Sequence, residues 1–141
     1  MKRFVVDAST LLSATVARRE GPLAVLLDAV TSGAVEIVVC DALLGELHRG
    51  LESPYFRDRV SPNAAAAYEA MIASIALRLP DPSSPRQVLR DPGDDYLVAL
   101  AISARATAIV TGDRDLLDHA GLEPAALTAR QACETLGLSA G

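Results

Sequence analysis

The sequence predicts an α/β domain with a parallel sheet of about four or five strands and helices on both faces. Three observations predict it. Short apolar, β-branched runs occur at Phe4-Val5-Val6, Val35 to Val39 and Ala108 to Val110. Segments with helical spacing separate them, and strands alternating with helices imply parallel pairing. The chain has 141 residues, of which 50% are apolar, enough for one sizeable core and too few for two domains. Strands buried on both faces read as continuous apolar runs of this kind.

Phe4-Val5-Val6 ends at Asp7 and reads as the first buried strand. Thr10 to Ala17 suits a helix, which Gly21-Pro22 interrupts; Pro22 then sits at a first-turn position of a second helix over Leu23 to Val30, closed by Gly33. After the second strand, Asp41 is placed to cap a helix whose stripe is Leu43, Leu44, Leu47 and Leu51, with Glu46 toward one edge. Ser53-Pro54 and Ser61-Pro62 open two further helical pieces, the second running through the alanines to about Leu79. Pro80 to Pro85 is a loop. Asp91-Pro92-Gly93-Asp94 has the signature of a helix start, with an acidic cap, proline at the first helical position and a second acid three residues on. That helix continues through Ile102. Past the strand at Ala108 to Val110, Asp115 is placed to cap a short helix over Leu116 and Leu117, and Pro124 to Leu127 reads as an edge strand. Thr128 with Gln131 matches a capping box for a last helix stopped by Gly137.

Composition excludes several classes. Aromatic residues are 4% and Trp is absent, so base stacking on aromatic platforms does not drive any nucleic-acid binding. No run approaches the roughly 18 apolar residues of a membrane span, since Glu69 and Arg78 interrupt the most Ala-rich stretch. Asp7 breaks the opening apolar run too early for a signal peptide, so the expectation is a cytoplasmic protein away from the membrane. Cys40 and Cys133 form neither a CxxC nor a zinc framework and read as buried small hydrophobes in a reducing compartment. A net charge of −5 argues against a broad basic nucleic-acid face. The basic residues are arginines apart from Lys2; their planar forks suit phosphate and carboxylate partners, and a high-GC genome gives the same bias.

The acids carry the chemistry. Sites in open parallel sheets form outside the carboxyl ends of the strands. Asp7 follows the first strand, Asp113 follows the strand at Ala108 to Val110, and Asp94 and Asp95 open the helix leading into that strand. Glu46, early in the helix after the second strand, can lean over the same edge. Carboxylates gathered in one crevice repel by several kcal/mol at a partly buried effective dielectric and call for hard cations. Oxygen-only ligation points to Mg2+ or Mn2+ and not zinc, because His48 and His119 occur in no HxxxH or HExxH arrangement. Divalent ions lower the pKa of bound water and clamp a phosphodiester, so no side-chain nucleophile is needed. Structural readings stand beside this: Asp91 as a cap, Asp94 as a capping-box partner, Asp115 and Asp118 as cap and surface, Glu46 as a solvated flank.

Motifs sharpen the choice. The opening Phe4-Val5-Val6-Asp7-Ala8-Ser9-Thr10, the helical Leu44-Gly45-Glu46-Leu47, the stretch Arg90-Asp91-Pro92-Gly93-Asp94-Asp95-Tyr96-Leu97 and the later Ile109-Val110-Thr111-Gly112-Asp113-Arg114-Asp115-Leu116-Leu117 together resemble the PIN-domain family nearly end to end. The likeness is to the VapC-like toxins of toxin–antitoxin pairs in particular. It implies a single PIN-like domain over residues 1–141, an α/β/α sandwich with room for disorder in the last few residues. It further implies Mg2+- or Mn2+-dependent cleavage of RNA, a homodimer, and a cognate antitoxin that blocks the site, for which an arginine reaching the acidic crevice would serve. By position, Asp7, Glu46 and one of Asp94 and Asp95 correspond to the central metal-binding carboxylates, and Asp113 to a fourth. The DPxD pattern favours Asp94, and counting back from Thr111-Gly112-Asp113 favours Asp95. Ser9 and Thr111 are implied helpers, offering hydroxyls to metal-bound water or phosphate.

Rival enzymes each lack a required group. A haloacid-dehalogenase-like phosphatase needs an aspartate where Ser9 stands, a response-regulator receiver needs a late lysine, and the adhesion motif DxSxS fails at Leu11. P-loop, GxSxG and GxGxxG patterns are absent. The remaining alternative is a PIN-like module whose carboxylates bind metal or a partner without turnover.

Overall fold

The computed structural model describes residues 1–17, 20–83 and 95–138. In chain order the described elements are β1 (Arg3–Val6), α1 (Ala8–Thr15), α2 (Pro22–Thr31), β2 (Glu36–Val39), α3 (Asp41–Glu52), α4 (Pro54–Arg57), α5 (Pro62–Ile75), β3 (Leu77–Arg78), α6 (Asp95–Ser103), β4 (Ala108–Val110), α7 (Arg114–Leu117), β5 (Ala126–Leu127) and α8 (Ala129–Thr135). The five strands form one sheet in the order β3-β2-β1-β4-β5, and every neighbouring pair is parallel. The three apolar runs expected to be buried strands are its centre. Phe4, Val5, Val6, Ile37, Val38, Val39, Ile109 and Val110 are all sealed from solvent, as strands with helices on both faces must be.

Register follows from this burial. Phe4 stands between Ile37 and Ala108, and Val6 is level with Val110. From β1 the sheet grows one way through β2 and β3 and the other way through β4 and β5. The connections on the two sides of β1 therefore diverge, leaving a crevice at the carboxyl ends of β1 and β4.

Four local expectations need correction. Residues 77–78, expected to continue the alanine-rich helix to Leu79, form β3: the helix stops at Ile75, Leu77 pairs with Val38, and the Leu79 N–H reaches the Val39 carbonyl at 2.9 Å. The outer edge of β2 would otherwise lack partners, and its hydrogen bonds outweigh the helix propensity of Ala76, Leu77 and Arg78. Asp41 does not cap α3 but is its first helical residue; the Ala42 N–H is taken instead by Asp81 at 2.9 Å, 39 positions away, while Asp41 accepts from Arg78. That backbone N–H, seconded by the Cys40 thiol, holds the Asp81 carboxyl below the usual carboxylate range. Asp113, not Asp115, caps α7. And α1 begins at Ala8, ahead of the expected Thr10, because the Asp7 carboxylate itself caps it. The expected helix start at residues 91–94 and the tail at 139–141 lie outside the described residues.

Other signals read as expected. Pro22 opens α2, and Gly33, at φ +83°, closes it in the left-handed conformation that glycine adopts without strain. Thr128 and Gln131 form the capping box of α8 in both directions. Cys40 and Cys133 are buried free thiols. No helix among the described residues is long and apolar enough to cross a membrane.

Two close contacts pack α3 and α5 against α1. At Gly50 the α3 backbone approaches α1 so closely that an added Cβ would lie 2.4 Å from Leu12 Cδ1. From the other side, the Tyr68 hydroxyl of α5 donates to the Leu11 carbonyl at 2.8 Å. Gly50→Ala is expected to lower stability by up to about 2 kcal/mol, an overpacking cost of about 1–3 kcal/mol against the Leu12 side chain set against roughly 1 kcal/mol gained in helix propensity. Urea denaturation checks this, and the cost should largely vanish when Gly50→Ala is combined with Leu12→Ala and compared with Leu12→Ala alone.

Burial pushes the Cys40 thiol up to about 11 and the Tyr68 phenol up to about 12. Both folded values lie above the unfolded ones of about 8.5 and 10, so the folded protein holds more protons in between. The stability these neutral groups provide is complete below about pH 8.5. It falls as pH rises from there to about 12, which thermal melts across that range would detect as a steady loss.

Candidate active site

The crevice at the carboxyl ends of β1 and β4 is where Asp7 stands. Strand pairing runs directly into it: the Asp7 N–H donates to the Val110 carbonyl at 3.0 Å, and the Thr111 N–H to the Leu127 carbonyl at 2.9 Å. Asp7 is 5% exposed, and burying a carboxylate costs several kcal/mol unless it is well bonded. Three donors supply the compensation. Oδ1 accepts from the Thr10 N–H at 2.7 Å and the Ser9 hydroxyl at 3.0 Å, and Oδ2 accepts from the Thr111 hydroxyl. A carboxylate offers about four lone-pair sites, so one remains for a further partner.

Thr111, 1% exposed, connects this carboxylate to the next. Its oxygen accepts the Asp113 N–H at 3.0 Å while its proton goes to Asp7. Asp113 in turn caps α7, with Oδ1 accepting from the Asp115 N–H at 2.9 Å. The hydroxyls of Ser9 and Thr111 are thus both directed at Asp7, where the sequence suggested water or phosphate. Glu46, half-buried on α3, comes from a third segment of the chain. Asp7, Ala8, Ser9, Glu46, Leu97 and Asp113 line one cavity of about 190 Å3.

Asp95 is buried as well, at 3% exposed, but lines a different cavity of about 390 Å3 with Val98, Ala99, Ile102, Gly121, Leu122 and Glu123. Helical geometry explains the separation: residues 95, 98, 99 and 102 share one face, and Leu97, which lines the Asp7 cavity, faces away from it. Asp94 lies outside the described residues. His48 and His119 line two further cavities and contribute nothing to this one.

The donor set around the Asp7 cavity is oxygen-only and negatively charged, which fits a hard divalent cation and not zinc. Among the described residues, no group of three or more His, Cys, Asp and Glu side chains is assembled tightly enough to hold a metal ion. Asp7, Glu46 and Asp113 share the cavity without forming a finished coordination shell.

Sequence reasoning missed two contributors. Thr10 accepts the Gly112 N–H at its hydroxyl, 3.2 Å, and so ties α1 to the segment between Thr111 and Asp113. Asp81 secures the start of the helix that carries Glu46. A threonine three positions after a strand-ending aspartate is a weak signal for the first; the second has no local signal at all.

A five-stranded parallel sheet with three acids lining a crevice at its switch point defines an α/β protein with an acid-lined site. The profile of the PIN domain matches residues 3–115, and the chain belongs to the PIN-domain family, in general a metal-dependent nuclease fold. Among solved structures it is similar to the crystal structure of PAE2754 from Pyrobaculum aerophilum. The TM-score is 0.65 at 21% identity, over 96% of this chain and 90% of that one. That likeness is one of fold. No curated protein matches the chain.

Thr111→Val is expected to destabilise the protein by about 1–3 kcal/mol, since it removes a donor from a buried carboxylate and the acceptor of the Asp113 N–H. Thr111→Ser, which keeps the hydroxyl, should recover most of that loss in urea melts.

Proposed function

We propose that this protein is a cytoplasmic endoribonuclease dependent on Mg2+ or Mn2+, the toxin of a toxin–antitoxin pair. The observation that carries the catalytic part is the convergence of Asp7, Glu46 and Asp113, from three distant segments, on one cavity of about 190 Å3 at the sheet's switch point. That volume has room for a small cation with a few waters. When bound, the cation supplies Lewis-acid activation of water and neutralises charge on the phosphodiester. Asp7, Glu46 and Asp113 would hold it, with Asp94 as the further ligand. Asp94 is preferred to Asp95 because Asp95 lines the other cavity and the pattern Asp91-Pro92-Gly93-Asp94 favours it.

The chain's own residues then do four things. Ser9 and Thr111 fix the plane of the Asp7 carboxylate through their hydroxyls. The Thr10 N–H withdraws part of the Oδ1 charge, as an N-cap bond does. Asp113 caps α7 through Oδ1, which fixes its carboxylate at the cavity wall. Leu97 closes one wall and limits water. Resemblance over residues 90–97 and 109–117 supports the toxin role, with a homodimer and an antitoxin that covers the acidic crevice.

Purified protein free of any partner, incubated with total cellular RNA and Mn2+ or Mg2+, should give discrete fragments, and a chelator should abolish them. Asp7→Asn and Asp94→Asn should each lower the rate at least a hundredfold, beyond the ten- to hundredfold typical of outer-shell partners. Asp95→Asn should retain most of the rate. Intact RNA in every lane, from folded protein shown to bind the cation, would sink the nuclease reading and leave a PIN-like module that binds without turnover.

A further inference from the structure

We propose that Thr10 is a positioning residue for Asp113, acting through the Gly112 backbone, and that cation binding at the shared cavity depends on its hydroxyl oxygen. The inference rests on the cation site proposed above. Thr10 is the residue of α1 that meets both halves of the site. Its N–H donates to Asp7 Oδ1 at 2.7 Å, and its Oγ accepts the Gly112 N–H at 3.2 Å. One side chain and its own amide thereby join the segment after β1 to the segment after β4.

Two tethers join residues 111–113 to the Asp7 side of the crevice. The first, from the Thr111 hydroxyl, ends on Asp7 Oδ2 and thus on the carboxylate that a cation would also use. Any cation drawing on that oxygen competes for its electron density, so this tether weakens as the site fills. The second, from Gly112 N–H to Thr10 Oγ, involves no carboxylate and keeps its strength. Gly112 needs this anchor. It is exposed, its φ is outside the left-handed region, and an added Cβ there would meet nothing within 4 Å. Neither packing nor an enforced backbone conformation holds it. Asp113 follows directly; its N–H is also held by the Thr111 hydroxyl oxygen at 3.0 Å, the same hydroxyl whose bond to Asp7 a cation weakens, so the Gly112 anchor supplements that bond in setting the distance of Asp113 from Asp7.

The oxygen is the part that matters, which separates this role from packing. Thr10→Val keeps the branched shape and the N–H to Asp7 but cannot accept from Gly112; Thr10→Ser keeps the acceptor and loses the methyl. Amide exchange at Gly112 and direct titration with Mn2+ alone, by calorimetry, are read on the full chain, with thermal melts to verify folding. A net hydrogen bond of about 1 kcal/mol corresponds to roughly a fivefold effect. Thr10→Val is therefore expected to show about fivefold faster Gly112 exchange and about fivefold weaker Mn2+ binding, and Thr10→Ser to return both to near wild type. Unchanged Mn2+ affinity in Thr10→Val, whatever Gly112 does, overturns the inference; so does equal weakening in Thr10→Ser, which would mark a packing role. A folded wild type with no Mn2+ affinity at all would instead overturn the cation site itself, and this inference with it.

Discussion

Everything at the site depends on the parallel pairing of β1 with β4. These strands are about a hundred residues apart in the chain, and their alignment of Val6 with Val110 is what sets Asp7 beside Thr111. Closing so long a loop has an entropic cost that grows only slowly with length. The burial of Phe4, Val5, Val6, Ile109 and Val110 offsets it, at roughly 25 cal/mol per Å2 of apolar surface. A slip of one residue would turn each side chain to the opposite face of the sheet, so the apolar core and the site share a single register. The Asp7 N–H to Val110 bond is the last rung of that pairing and the first contact of the site.

The carboxylates have structural duties of their own. Asp7 caps α1 and Asp113 caps α7. Serine, threonine or asparagine would cap either helix about as well. What they would not provide is two further carboxylates beside Glu46 at one cavity, and the proposed cation site rests on that surplus over the structural need. The capping bonds have a second effect. They fix one oxygen of each aspartate and with it the direction in which the other can act, a form of preorganisation that rigid elements confer and loops do not. Glu46 is held differently, by the placement of a whole helix: Gly50 seats α3 against Leu12 of α1, and Asp81 secures its first turn.

The overall acidity of the chain is compatible with a phosphate-bearing partner if attraction is local. Net charge governs long-range steering and salt dependence, whereas a bound cation and a few arginine forks act within a few ångströms. A protein of this kind is expected to rely on short-range contacts for affinity and on its partner's shape for selectivity.

Much of this was legible in the chain because it depends on local pattern. The buried strands announced themselves as uninterrupted β-branched runs, the capping box of α8 and the proline of α2 as short motifs, and Asp7 and Asp113 as acids just past strand ends. Glu46 was legible by resemblance and by its place early in a helix. Elsewhere local pattern misled: alanines around residue 76 favour helix, yet the open edge of β2 turned Leu77 and Arg78 into a strand. The cap of α3 was unreadable because Asp81 reaches it from 39 residues away. The sequence left the choice between Asp94 and Asp95 open, since the DPxD pattern favours the first and the interval back from Thr111-Gly112-Asp113 favours the second. Only the packing of α6 turned Asp95 into a cavity of its own, by a rotation of about 100° per helical residue that a linear string does not carry. The sequence by itself determined the kinds of element and the acids available; the tertiary structure decided which acids meet, because hydrogen bonds and helix faces between distant segments exist only once the sheet has fixed their register.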